Sequence, residues 1–333
     1  MKAVYIHQFG GPEVLQYEEV PTPTPGPGQV LVKLAAAGLN YMDVHQRTGH
    51  YPNKLPYTMG REGSGTVAAV GPQVTSFIAG DPVAYTGVPG ARKDNCRPAH
   101  RAYAEYALVP AERLVRMPPN LDVKVGAAAM LQGMTAHYLA YTTYLLKPGD
   151  SCLIHAAAGG VGLLLVQMAK QCGARVFATV STEEKAAVAR EAGADEAILY
   201  TKQDFETEVK RLTNGQGVNV VYDSVGKTTF EKSLNCLKPL GYMVLYGQSS
   251  GPVAPFDPAI LSAKGSLFLT HPSLPHYIAD RASLEKRAGD VLGWIASGKL
   301  KMRIEFTFPL ANVAEAHRSL EGRKTTGKVL LIP

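Results

Sequence analysis

Residues 156–162 read Ala-Ala-Ala-Gly-Gly-Val-Gly. A strand-like run, Ser151–His155, precedes them, and a run with helical spacing, Gly162–Cys172, follows. Glycines in such a turn let the backbone fold tightly and bring its N–H groups against a pyrophosphate. The start of the next helix adds partial positive charge. Ala157, Gly159 and Gly162 keep the spacing of the dinucleotide fingerprint, with alanine for its first glycine. The turn alone also fits a plain glycine-rich loop; the strand and helix around it select the dinucleotide reading. Gly159, Gly160 and Val161 are the expected phosphate-facing residues.

The end of the second strand selects the dinucleotide. A site for NAD usually places Asp or Glu there to hold the ribose hydroxyls. Here the strand ends Val180-Ser181-Thr182, with Lys185 in the next turn. Hydroxyls and a lysine suit a 2′-phosphate, so NADPH is the expected cofactor. Glu183 and Glu184 are expected on the following helix, pointing to solvent.

These residues need a framework, and the chain supplies an alternating one after about residue 123. Strand-like runs at Ser151–His155, Arg175–Val180, Glu196–Tyr200, Val218–Asp223, Tyr242–Tyr246 and Ser266–Thr270 are separated by helical runs. Those helices are expected at Gly162–Cys172, Thr182–Ala192, Asp204–Thr213 and Thr228–Leu237. Six strands with crossover helices describe a doubly wound parallel sheet. Before it, short Val- and Ala-rich runs with Gly/Pro turns predict a β-rich domain: Ala3–Ile6, Leu15–Glu18, Val30–Leu34, Gly63–Val70, Asp81–Tyr85 and Tyr106–Val109. After it come helical runs near Ser283–Ser297 and Val313–Leu320 and a strand at Lys328–Ile332. These are expected to return to the first domain. The division is therefore 1–123 with 271–333, and 124–270.

The bulk numbers are consistent with this. A chain of 333 residues suggests about two domains and can bury a core without disulfides. The net charge of +6 comes without long Lys/Arg runs, which favours an anionic cofactor over nucleic acid. Cys96, Cys152, Cys172 and Cys236 are scattered, with no Cys-x-x-Cys pair, which argues against a zinc finger or redox dithiol and fits a reducing, cytoplasmic compartment. The uncharged stretch 152–169 carries His155 and glycines in its middle, so a buried strand, turn and helix explain it better than a membrane span.

Several further segments carry a resemblance. Gly10-Gly11-Pro12-Glu13-Val14-Leu15, Gly38-Leu39-Asn40-Tyr41-Met42-Asp43, the 156–162 loop, Val221-Tyr222-Asp223-Ser224-Val225-Gly226 and Pro272-Ser273-Leu274 together resemble the zinc-free, zeta-crystallin-like quinone oxidoreductases of the medium-chain dehydrogenase/reductase superfamily. The resemblance runs nearly end to end. It implies an α/β fold: a GroES-like β-rich catalytic domain around an inserted Rossmann domain, with NADPH in the cleft between them, and a homodimer. It further implies that Asn40, Tyr51, Gln132 and Thr135 line the nicotinamide end. Lys185, Tyr200 and Arg323 would surround the 2′-phosphate. Tyr246, Gly247, Ser249, Phe268 and Thr270 would border the cofactor. Where related chains have a lysine, this one has Gln132.

Zinc-dependent members of that superfamily have cysteine where this chain has Asn40, and histidine where Gly60-Arg61-Glu62 places Arg61. Cys96 is the one cysteine in the region of their four-cysteine lobe. Zinc needs three or four N, S or O ligands, so no metal is expected. Without a Lewis acid the expected reaction is hydride transfer to a small quinone, with Asn40, Tyr51 and Gln132 as the candidate catalytic residues; Asn40 equally fits a role in positioning the cofactor amide. Reduction of an α,β-unsaturated aldehyde or ketone is the alternative. A non-catalytic RNA-binding or structural role is the alternative of another class. His45, His50 and His137 read as surface or packing residues, and Tyr138, Tyr141 and Tyr144 as core or interface. Arg61 is expected to neutralise Glu62 or a carboxylate nearby. Asp223-Ser224 is expected to line the site.

Overall fold

The computed structural model describes residues 1–87 and 101–333, which leaves Cys96 outside the described residues. Its strands and helices, in chain order, begin with β1 (Lys2–Ile6), β2 (Gln16–Glu19), β3 (Gln29–Leu39), α1 (Tyr41–Arg47), β4 (Tyr57–Thr58) and β5 (Glu62–Val70). Then come β6 (Pro82–Thr86), β7 (Tyr106–Pro110), β8 (Val115–Arg116) and α2 (Val123–Tyr138). The alternating part holds β9 (Ser151–Ile154), α3 (Gly160–Gln171), β10 (Arg175–Val180), α4 (Glu183–Glu191), β11 (Glu196–Leu199), α5 (Phe205–Leu212) and β12 (Val218–Asp223). It closes with α6 (Phe230–Asn235), β13 (Leu237–Leu245), α7 (Ala259–Ala263) and β14 (Phe268–Thr270). Last are α8 (Leu274–Tyr277), α9 (Arg281–Ala296), β15 (Ile304–Pro309), α10 (Val313–Glu321) and β16 (Lys328–Ile332).

The chain divides into two compact units, Met1–Met134 with Tyr277–Pro333, and Thr135–His276. The second unit is a six-stranded sheet in the order β11-β10-β9-β12-β13-β14. Every neighbouring pair in it is parallel. Strands of such a sheet are covered on both faces and read as continuous apolar runs; β10 is buried from Val176 to Val180. Two of the unit's helices start at a capping side chain: Thr182 Oγ1 accepts from Lys185 N at α4, and Asp204 Oδ1 accepts from Thr207 N at α5. The strand order reverses between β9 and β12, so the loop after β9 lies at the switch point where open sheets bind ligands.

The first unit is β-rich. One sheet runs β15-β16-β3-β5-β6-β8, with β7 also on β3; a smaller one runs β2-β1-β4. Val30, Val32, Leu34, Val83, Tyr85, Val109 and Leu331 share its core. The long strand β3 organises it. Antiparallel β5 pairs Ala37 with Gly63, and antiparallel β16 pairs Leu39 with Val329. Those registers bring Asn40, Glu62 and Lys328 to one end of β3. A second clamp ties α1 to α10: the buried Arg47 donates to both carboxylate oxygens of Glu321, at 2.7 and 2.9 Å.

Candidate active site

In the second unit the turn after β9 joins a strand to a helix, as its sequence predicts. Its left-handed residue is Ala156, at φ +51°. Gly159 is the N-cap of α3. The first N–H taken within the helix is that of Leu163, by Gly159 O at 2.9 Å. Those of Gly160, Val161 and Gly162 precede it and have no intrahelical acceptor, as in any first helical turn. A Cβ on Gly162 would lie 2.5 Å from Ala156 O and 2.7 Å from Ala157 Cα, so glycine is needed for the helix to approach the strand. Three open donors at a twelve-residue helix start form a fitting cradle for a pyrophosphate.

The other expected cofactor residues of this unit lie at the carboxyl ends of neighbouring strands. Ser181 follows β10, and its carbonyl accepts from Thr201 Oγ1 at 2.9 Å. Lys185 sits half-buried in the first turn of α4. Tyr200 follows β11 and is exposed. Glu183 is drawn to Lys202, 3.3 Å away on the surface, so an acidic side chain of that turn is already occupied by a lysine. After β13, Tyr246 N and Gly247 N donate to Asp223 O, and Ser249 N donates to Ser224 O. A Cβ on Gly247 would lie 2.8 Å from Ser224 O. Asp223 itself is saturated: one oxygen accepts from Val225 N and Gly226 N, the other from Thr229 Oγ1. It shapes the loop. Phe268 and Thr270 lie on the edge strand β14, with Phe268 stacked on Tyr242 at 4.6 Å between ring centres. Thr135, in α2, is buried.

The first unit holds Asn40 and Gln132 in a buried polar cluster. Asn40 Nδ2 donates to Gly38 O and to Glu62 Oε2, at 3.1 and 3.0 Å. Asn40 Oδ1 accepts from Lys328 Nζ at 3.0 Å and from Gln132 Nε2 at 3.3 Å. An amide offers two donors and two lone pairs, so Asn40 is fully used. Gln132 is not. It is 9% exposed, and its Oε1 has no partner among the described residues. Glu62 Oε1 accepts from Leu131 N at 2.6 Å and Glu62 Oε2 accepts from Lys328 Nζ, with both charged side chains at 0% exposure. The sequence expects Arg61 to neutralise Glu62 or a carboxylate nearby; its charge acts on the buried Asp43 carboxyl, and Glu62 is paired by Lys328. Lys328 takes that role because the register of β16 on β3 delivers its ammonium from the opposite strand. Gly38 makes room: a Cβ there would lie 2.5 Å from Glu62 Oε2 and 2.7 Å from Lys328 Cε.

Tyr51 packs edge-on against His50 and His45, with ring centres 4.6 and 5.6 Å away. The rings of His45 and His50 themselves lie 5.0 Å apart. Asp43 accepts from Asn40 N at 2.9 Å and from the Tyr103 hydroxyl at 3.0 Å. Burial pushes its carboxyl up to about 6, against those two hydrogen bonds. Next to it, His317 is buried against Arg47, and burial takes its imidazole down to about 3. Arg323 follows α10 in a left-handed conformation, φ +56°. Among the described residues no three His, Cys, Asp or Glu side chains are grouped to hold a metal ion.

Lys328 and Glu62 form the buried ion pair of the cluster, which sequence reasoning missed. They stand 266 residues apart. The only local signal is a lysine opening an otherwise apolar strand.

Two family models match the chain. One, described as an alcohol dehydrogenase GroES-like domain, matches residues 26–119. The other, described as a zinc-binding dehydrogenase, matches residues 160–277. A quinone oxidoreductase of Pseudomonas aeruginosa is 43% identical over 334 residues, covering 100% of this chain and 99% of that protein. A 2-haloacrylate reductase of a Burkholderia species is 42% identical, covering 99% of this chain and 98% of its own. The crystal structure of the Escherichia coli quinone oxidoreductase complexed with NADPH matches with a TM-score of 0.94 at 39% identity, over 100% of both chains.

Proposed function

We infer the reaction from one premise: the chain belongs to the quinone oxidoreductases of the medium-chain dehydrogenase/reductase superfamily. It is an NADPH-dependent oxidoreductase that reduces a quinone to the hydroquinone. Residues 124–270 serve as its NADP-binding domain.

The observation that carries the chemistry is the Asn40–Glu62–Lys328 cluster. Where a zinc-dependent relative would offer a thiolate and an imidazole, this chain has Asn40 and Arg61, and the carboxylate beside them is engaged by Lys328. That donor set is built around an ammonium ion, which cannot polarise a ketone oxygen as zinc does. A quinone needs less assistance, because two electrons and one proton convert it into an aromatic hydroquinone anion that spreads its own charge. A solvent proton then completes the product.

NADPH, when bound, supplies the hydride. The N–H groups of Gly160, Val161 and Gly162 hold the pyrophosphate, Ser181 and Lys185 the 2′-phosphate, with Tyr200 and Arg323 beside it. Tyr246, Gly247, Ser249, Phe268 and Thr270 border the cofactor. Tyr51, Gln132 and Thr135 orient the reacting end. Asn40, whose four hydrogen-bonding positions are filled, acts by holding Gln132. The protein's contribution is proximity and orientation rather than proton transfer.

A second reading has a specific support: a relative of nearly equal identity is named a 2-haloacrylate reductase. Reduction of an activated alkene uses the same hydride and a different acceptor. Initial rates with NADPH and 1,4-benzoquinone, against an α,β-unsaturated aldehyde and 2-chloroacrylate, separate the two. Turnover of the alkenes alone would reject the quinone reading. We place the protein in the cytoplasm as a homodimer; among the described residues no helix is long and apolar enough to cross a membrane. Light scattering at the mass of one 333-residue chain would reject the dimer.

A further inference from the structure

The cluster around Asn40 has a direction. A lysine ammonium can only donate hydrogen bonds and a carboxylate can only accept them, whereas an amide has one end of each kind. Lys328 Nζ on one side of Asn40 and Glu62 Oε2 on the other therefore admit one orientation: Oδ1 toward the lysine, Nδ2 toward the glutamate. Gln132 then meets an acceptor, Asn40 Oδ1, and must present its own nitrogen to it. Its oxygen is left buried and without a partner among the described residues. The polarity of a charged pair thus passes through two amides and fixes the character of the last atom as an acceptor.

We propose that Lys328 is a positioning residue that makes Gln132 Oε1 a dedicated hydrogen-bond acceptor for the carboxamide N–H of the nicotinamide. A quinone oxygen is itself an acceptor, so it does not match this group; an amide N–H does. This deepens the reading that the chain uses NADPH and rests on it.

The test reads binding rather than turnover. The two probes are NADP⁺ and its 3-acetylpyridine analogue, in which a methyl ketone replaces the carboxamide and no N–H remains. Wild-type protein is expected to bind NADP⁺ at least fivefold tighter than the analogue by titration calorimetry. In Lys328→Met/Glu62→Gln, whose two neutral side chains leave neither partner of the buried ion pair charged alone, the ratio is expected to fall to near one. The affinity for 2′,5′-ADP, which carries no nicotinamide, stays at the wild-type value. Glu62→Gln alone keeps Lys328 and keeps the preference. General damage to the fold would weaken both probes and 2′,5′-ADP together, and would leave the ratio unchanged. Should the paired variant not fold, Gln132→Lys puts a donor-only group at the end of the chain and is expected to abolish the preference by itself. The proposal is overturned if wild-type protein shows no preference, or if the paired variant or Gln132→Lys retains it. Failure to reduce 1,4-benzoquinone would reject the substrate reading instead and leave these ratios as they are.

Discussion

Gln132 Nε2 donates to Asn40 Oδ1 across 3.3 Å, and the carbonyl oxygen of the same Gln132 amide is buried without a partner among the described residues. Such an orphan costs a fold roughly 1–3 kcal/mol, while a made hydrogen bond contributes about 0.5–1.5 kcal/mol. Gln132→Leu is therefore expected to hold or raise the melting temperature. Its kcat/KM for quinone reduction should fall by roughly three- to tenfold. Melts and initial rates on one preparation check both; a destabilised variant with the wild-type rate contradicts the assignment.

Lys185 lies in the first turn of α4, beside the end of β10. One charge-assisted hydrogen bond to a phosphate is worth roughly 1.5–3 kcal/mol. Lys185→Ala should weaken NADPH by about ten- to a hundredfold and change NADH by less than about threefold. Michaelis constants for the two cofactors decide it. Equal constants in the wild-type enzyme, or an equal loss of both in the variant, would remove Lys185 from the 2′-phosphate site.

The two buried titratable groups near α1 oppose each other. Folded His317 titrates at about 3, held down by burial and by the Arg47 charge, while an unfolded histidine titrates near 6.5. Between those values the unfolded chain takes up a proton that the folded chain refuses, so stability is full above about pH 6.5 and is lost as pH falls. Asp43 has its folded value raised to about 6, above the ordinary aspartate range near 3.9. The folded chain binds the extra proton there, so this contribution weakens as pH rises from about 4 to 6. Melting temperatures from pH 7 to pH 4 should fall less steeply in His317→Gln than in wild type, and more steeply in Asp43→Asn. Parallel curves for all three proteins would refute both assignments.

How much of this was readable in advance depends on how local the cause is. β10 and β12 begin and end where the sequence predicts, at Arg175–Val180 and Val218–Asp223, because burial on both faces leaves mostly apolar runs, Val176–Ala178 and Val220–Tyr222. β13 starts at Leu237, five residues before the predicted Tyr242. Pro239, Leu240 and Gly241 read as a breaker, and Leu240 does adopt φ +62°, but the pairing with β12 resumes beyond it. The N-cap role of Thr182 and the glycine turn at 156–162 are likewise local. The polar cluster is not. Asn40 was legible as the residue in a cysteine's place, yet its partners Glu62, Gln132 and Lys328 are fixed by strand register and by α2, and no short-range pattern encodes them.

The dinucleotide turn separates two kinds of small residue. Ala156 is left-handed at φ +51°, a conformation that costs an L-residue roughly 1–2 kcal/mol. Ala156→Gly relieves this while freeing the unfolded chain by about 0.4–1 kcal/mol, so stability should change by less than about 1 kcal/mol and NADPH binding by less than twofold. Gly162→Ala meets backbone at 2.5 Å and cannot be relieved by a side-chain shift. Its melting temperature and its affinity for NADPH should both drop, the latter by more than about tenfold. Similar behaviour of the two variants in calorimetry would show that the turn does not hold the phosphates as assigned.

Asn40 and Lys328 are neighbours in space and 288 residues apart along the chain. Translation runs from one to the other. A nascent chain displays Asn40 and Glu62 long before Lys328 exists, and it completes the whole contiguous unit Thr135–His276 in between. The nucleotide-holding half can therefore mature on the ribosome. The cluster that gives Gln132 its polarity closes only when β16 has been made. Until then Glu62 is a carboxylate awaiting its counterion.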